Sequence, residues 1–202
     1  MRLFRPCFFA VWIYPGALFR IKTTEKQLFL TFDDGPDPGS TLQILDILRK
    51  YNINAAFFCN GRAAKEYPDL IYSIKSRGHL IGNHGYNHPD GWKTSKNRYV
   101  ADVESAAIHT SSVLFRPPYG HLRINQFREL RKKYKIIFWD LMPYDYDESF
   151  GSVNSSGILF RKLRKGSVIA LHDKPGTSAL DFLDEFINTS VKNGYRFFLP
   201  YL

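Results

Sequence analysis

Short apolar runs alternate with stretches of helical period about seven times along this chain, and almost every unusual polar cluster falls just after an apolar run. This alternation is what most restricts the fold. Parallel strands must be joined by crossovers long enough to hold a helix, and those crossovers are right-handed. In such folds ligands and chemistry collect at the carboxyl ends of the strands. Strands are expected near 27–32, 55–58, 79–83, 113–115, 135–141, 167–171 and 196–199. Between them, Ile44, Leu45, Ile47 and Leu48 keep helical spacing behind a cap at Ser40-Thr41. Further helices are expected near 63–77, broken into two pieces at Pro68, and near 95–111, 124–133, 156–164 and 179–193. The pattern predicts one β/α barrel with its site at the carboxyl face, and 202 residues suit a single domain.

The formal charge of +9 raises the question of a polyanionic partner. The Lys and Arg residues are scattered, and the densest cluster, 128–135, reads as the solvated face of one helix, so no nucleic-acid partner is expected. Two cysteines make no disulfide framework, and Cys59, inside an apolar strand, reads as a packed thiol. Arg2 and Arg5 precede an apolar run from Cys7 to Phe19 that mimics a short export signal or anchor. It is too short to span a bilayer, is interrupted by Pro15-Gly16, and is followed by no small-residue cleavage site. Residues 1–20 are therefore read as a segment capping the fold. A cytoplasmic setting is favoured on that basis, with an envelope-facing one left open.

Four clusters carry chemistry. The run ending at Phe32 stops at Asp33-Asp34-Gly35-Pro36, where two adjacent carboxylates repel unless one binds a cation or pairs with a base. The plain alternative is a hydrogen-bonded turn. His84 and His88 lie in a loop rich in Gly and Pro, and two imidazoles at that spacing can converge on one ion that a carboxylate such as Asp34 completes. Arg116, before Pro117-Pro118, sits on a stiff extended backbone and suits a carboxylate partner, Asp33 being the obvious one. His172, at the end of an apolar strand, can move a proton near neutral pH.

Together these clusters resemble the polysaccharide deacetylases of the NodB-homology family, carbohydrate esterase family 4, over residues 14–202. Thr31-Phe32-Asp33-Asp34-Gly35-Pro36 is similar to the first motif and His84-Gly85-Tyr86-Asn87-His88 to the second. Arg116-Pro117-Pro118-Tyr119-Gly120 is similar to the third motif, and His172 to the fifth. The resemblance implies a deformed (β/α)7 barrel and metal-dependent removal of N- or O-acetyl groups from a glycan. It implies a divalent metal on Asp34, His84 and His88, zinc first, with cobalt, nickel, manganese or iron as alternatives. It further implies Asp33 as general base oriented by Arg116, the Tyr119 amide at the oxyanion, and His172 as the acid for the leaving amine. Pro118, Met142, Tyr146 and Ala170 are the implied substrate contacts. The expected partner is a glycan or glycoconjugate, met by a monomer without a transmembrane span.

The departures from the family pattern carry expectations of their own. Gly85 replaces the usual Ser or Thr, which removes one loop-fixing hydrogen bond. Met142 and Tyr146 stand where Asp and Trp are usual, so Asp140, two residues before Met142 on the same strand face, is expected to support His172. Ala170 replaces a leucine, and with Tyr146 it predicts a wider acyl pocket. The altered fourth motif also motivates an alternative, a catalytically impaired glycan-binding protein on the same fold. An iron oxygenase built on two His and one carboxylate would leave Asp33, Arg116 and His172 without a role.

Overall fold

The computed structural model describes residues 2–7 and 9–200. Seven parallel strands form one curled sheet: β1 (Gln27–Asp33), β2 (Ala56–Cys59), β3 (Leu80–Asn83), β4 (Leu114–Phe115), β5 (Lys135–Ile136), β6 (Val168–His172) and β7 (Arg196–Phe197). Their order is β5-β4-β3-β2-β1-β6, and β7 pairs with the start of β1 below β6. The sheet is a deformed (β/α)7 barrel: the β/α barrel that the alternation predicts, in the deformed form that the family resemblance implies. Strand β1 shows why it curls. Leu28, Leu30 and Phe32 pack outward with residues of the covering helices, while Phe29 joins Ala56, Phe58, Leu114, Ile137 and Val168 inside the barrel. By the two-residue period of a strand, Thr31 and Asp33 follow Phe29 into the lumen, with Asp33 uppermost. Both faces being buried, the strand reads as one apolar run until its last residue.

The helices follow from local chemistry. Helix α2 (Thr41–Lys50) begins after Asp37, whose carboxylate accepts the amides of Gly39 and Ser40. The expected Ser40-Thr41 cap is not made. Both hydroxyls instead donate to buried Asp173, at 2.6 Å each. The stretch after β2 is two helices, α3 (Gly61–Glu66), capped by Asn60, and α4 (Pro68–Ser76), since Pro68 has no amide to continue the ladder. Helices α5 (Lys96–Thr110), α6 (Ile124–Leu130), α7 (Ser152–Lys162) and α8 (Ala179–Lys192) complete the outer layer.

The expected strand over 135–141 is interrupted, and the interruption closes the barrel. Regular pairing ends at Ile136. Leu18 then inserts beside the chain, donating to the Ile136 carbonyl and accepting from the Phe138 amide. Beyond it the chain crosses to β6, where Leu141 pairs with Ile169 and the amides of Asp140 and Leu141 both donate to the Val168 carbonyl. Ile21 donates to the Gly166 carbonyl. Residues 18–21 thus fill the seam between β5 and β6, and the short helix α1 (Ala10–Ile13) lies ahead of them. Among the described residues no helix is long and apolar enough to cross a membrane.

Candidate active site

The site stands on the carboxyl ends of β1, β3, β4 and β6. Arg116, just past β4, is wholly buried in the lumen, where a guanidinium is tolerated only if its donors are met. It donates to Asp33 Oδ1 at 2.6 Å and to Thr31 Oγ1 at 2.7 Å. The remaining donors go to the carbonyls of Phe138 and Ile137, and the guanidinium lies 4.1 Å from the centroid of the Phe58 ring. The expected Arg116–Asp33 pair therefore exists, and it holds the Asp33 carboxylate in one orientation beneath the cavity.

Asp34, His84 and His88 converge, with donor atoms all within 4.8 Å of one another. His88 Nε2 lies 3.1 Å and His84 Nε2 3.5 Å from Asp34 Oδ1. His84 Nδ1 lies 2.8 Å from the Arg116 carbonyl, which can only accept, so Nδ1 carries the hydrogen and Nε2 presents its lone pair. Burial pushes the His84 imidazole down to about 4, keeping it neutral as a ligand must be. At Asp34 burial acts upward, but the hydrogen bond from His88 and the neighbouring imidazoles outweigh it and hold the carboxyl well below its ordinary range. Two imidazoles and a carboxylate make a donor set that fits a divalent ion. Asp34 (φ 76°), His88 (φ 55°) and Tyr119 (φ 59°) all adopt left-handed backbone conformations, a local strain that turns their side chains or amides into the site.

The second loop is well fixed despite Gly85. Its φ of +75° suits a glycine, and its amide donates to Asn83 Oδ1 at 2.8 Å. Asp102, on α5, accepts the amides of Tyr86 at 2.7 Å and Asn87 at 3.1 Å. The hydrogen bond expected to be missing is replaced from a neighbouring helix.

The partner of His172 is Asp145, in place of the expected Asp140. Asp145 Oδ1 lies 2.9 Å from His172 Nδ1, and its Oδ2 accepts the His172 amide at 2.8 Å. Burial lowers the affinity of His172 for a proton, but Asp145, with Asp33 and Asp34 beyond it, more than compensates, and the imidazole titrates above its ordinary value. Asp140, the expected support, is elsewhere. Leu141 pairs with Ile169, so Asp140 lies level with Val168, four residues and about 13 Å down the strand from His172. There it accepts from Arg164 and from Ser167 Oγ at 2.6 Å. Counting along one face from Met142 led away from the carboxyl end. The available signal was position: Asp145 adjoins Tyr146 in the loop after a strand, where Asp33, His84 and Arg116 also stand.

A cavity of about 610 Å³ opens over these groups. Met142, Tyr146 and Tyr119 line it, with Tyr146 edge-on to His172 at 4.7 Å between ring centroids. Ala170 and Pro118 do not reach its wall. Both are buried, Ala170 in the lumen one layer below His172 and level with Thr31, so a small residue there does not widen the cavity. Three residues not anticipated complete the surroundings. Lys174 Nζ donates to Asp34 Oδ2 at 2.5 Å, and Trp92 stacks on His121 at 3.5 Å between centroids at the cavity wall.

The geometry defines a hydrolase-type site: a metal-capable triad, a clamped carboxylate and a carboxylate-supported imidazole on a parallel barrel. Residues 20–137 match the family model for polysaccharide deacetylase, and the chain belongs to that family. It is 32% identical over 187 residues to a peptidoglycan-N-acetylglucosamine deacetylase of Bacillus cereus, covering 86% of this chain and 66% of the relative. It is 31% identical over 166 residues to a chitooligosaccharide deacetylase of Azorhizobium caulinodans, covering 78% and 79% respectively. A solved peptidoglycan N-acetylglucosamine deacetylase superposes with a TM-score of 0.88 at 29% identity, covering 95% of this chain and 94% of that one. Bacillus subtilis PdaA, a family 4 carbohydrate esterase, superposes with a TM-score of 0.79 at 27% identity, over 93% and 83%. The protein is thus a polysaccharide-deacetylase-type hydrolase of non-peptide carbon–nitrogen bonds.

Proposed function

We propose that this protein removes an acetyl or similarly small acyl group from the nitrogen of an amino sugar in a glycan or glycoconjugate, with Asp34, His84 and His88 holding a divalent metal, zinc first. The single observation that carries the reading is the pairing of two differently supported groups around one metal-capable triad: Asp33 on Arg116, and His172 on Asp145. A divalent ion on that triad acidifies a water and polarises an acyl carbonyl. Asp33 takes the proton of the attacking water, and Arg116 keeps that carboxylate aimed. The backbone N–H of Tyr119 hydrogen-bonds the oxyanion as the carbonyl carbon becomes tetrahedral. His172, held by Asp145 as the protonated imidazole, delivers a proton to the amine nitrogen as the C–N bond breaks, leaving a carboxylic acid and a free amine.

The alternative of an impaired glycan-binding protein was motivated by the altered fourth motif, and it loses that motive because Asp145 supplies the carboxylate. The test is a panel of N-acetyl, N-formyl and N-propionyl glucosamine oligomers with zinc, cobalt or nickel added, scored by release of free amine. Release from at least one member, dependent on the metal, is expected. No release from any member with any metal contradicts the reading.

A further inference from the structure

Residues of the stretches 2–7 and 9–14 build part of the cavity wall. Leu3, Pro6, Ala10 and Ile13 line it there, facing Phe138 and Met142. Arg5 and Cys7 of the same segment line it as well. Leu3 and Ile13 are 59% and 48% exposed, and Val11 and Trp12, beside Ile13, are 51% and 77% exposed. Helix α1 buries none of its residues, and Trp12 and Phe9 meet edge-on at 6.1 Å. Leu3 and Ile13 thus belong both to the cavity lining and to the protein's exterior.

The segment is held in place, so the exposure is built in. The Met142 amide donates to the Phe4 carbonyl at 3.0 Å, and the Leu3 amide donates to the Tyr144 hydroxyl at 3.1 Å. Arg2 pairs with Asp147 at 2.7 Å, and the Tyr14 hydroxyl donates to the Leu122 carbonyl. A soluble polymer offers such a surface nothing to bury. Exposed apolar side chains that include Trp12 suit the depth at which aromatic rings sit in a bilayer interface. The net charge of +9 draws such a protein to anionic lipid. No described helix can span, so the contact is peripheral.

We infer that Leu3, Val11, Trp12 and Ile13 dock this protein on an anionic membrane surface, and that the cavity takes an acylated amino sugar carried on a lipid whose hydrocarbon lies along Leu3, Pro6, Ala10 and Ile13. The substrate half of this inference rests on the deacylase reading; the docking half does not. The first measurement is flotation of the metal-loaded protein with vesicles of phosphatidylcholine containing 30% phosphatidylglycerol, and with phosphatidylcholine alone. Co-flotation is expected, stronger on the anionic vesicles, with a blue shift of tryptophan emission. Val11→Asp/Trp12→Asp should lose at least tenfold in partition while keeping the melting temperature and metal content of the wild type. The second measurement embeds N-acetylglucosaminyl-diacylglycerol in the anionic vesicles and compares amine release with that from soluble chitotetraose. Faster release from the lipid, lowered at least tenfold in the double variant, is expected. No flotation with either vesicle, flotation untouched by the double variant, or concentration-dependent dimers in place of flotation overturns the docking. Preference for chitotetraose overturns the substrate assignment alone, and flotation without amine release from either substrate counts against the deacylase reading only.

Discussion

Asp140 and Asp145 are both buried, five residues apart on one stretch of chain, and they serve opposite ends of β6. Asp145 grips His172 at the carboxyl end through both its ring and its amide. Asp140 ties Arg164 and Ser167 to the amino end, with Arg5 at 3.5 Å, next to the seam that residues 18–21 fill. Both are aspartates accepting hydrogen bonds at almost no exposure. What separates them is which end of a parallel strand they reach, since one end holds the chemistry and the other holds the closure. A carboxylate's role in this barrel is set by its height along the lumen more than by its type or its burial.

That contrast can be broken by substitution. The largest effect is expected from Asp33→Asn, at the reactive end: metal content stays near that of the wild type while turnover falls about a hundredfold to ten-thousandfold, the usual weight of a general base. Metal analysis beside steady-state kinetics checks this, and a variant that loses its metal would reverse the roles of Asp33 and Asp34. A smaller loss, about 10- to 100-fold, is expected for Asp145→Asn, as for residues that orient a working side chain. Its signature is a pH profile. Asp145 raises the pKa of His172, and an acid in the proposed role works only when protonated. Removing the charge lowers that pKa, so the alkaline limb of turnover moves to lower pH. The smallest effect on rate is expected from Asp140→Asn, whose cost of about 1–3 kcal/mol falls on stability, measured by denaturant unfolding. Its pH profile should match the wild type, and a shifted alkaline limb there would erase the distinction between the two ends.

The sequence shows the reactive end more clearly than the closing end, for a physical reason. Asp33, Asp34, His84 and Arg116 stand at or just past the ends of β1, β3 and β4, and His88 lies four residues beyond His84, so strand ends and chemistry coincide in the linear pattern. Asp145 does not announce itself in that way, because it lies in a loop that folds back over β6, and only the fold brings it to His172. The seam was hidden for a related reason. Residues 135–141 carry strand-like composition, but Leu18 takes the pairing position that a straight strand would need, and the run splits between two partners. Ala170 shows the limit of transferring a pocket by motif alone, since its strand face is the lumen and its layer lies beneath the cavity floor.

The proposed function requires Asp34, His84 and His88 to act as one metal site that switches on hydrolysis, and a metal titration tests this most directly. Metal-stripped wild type and His84→Ala are titrated with zinc by calorimetry, while release of amine from an N-acetylglucosamine oligomer is followed at each addition. The account predicts one equivalent bound by the wild type, activity rising in step with it, and neither in His84→Ala, which keeps its circular dichroism. Activity that appears without metal, or a His84→Ala protein that binds one equivalent and turns over normally, would contradict it.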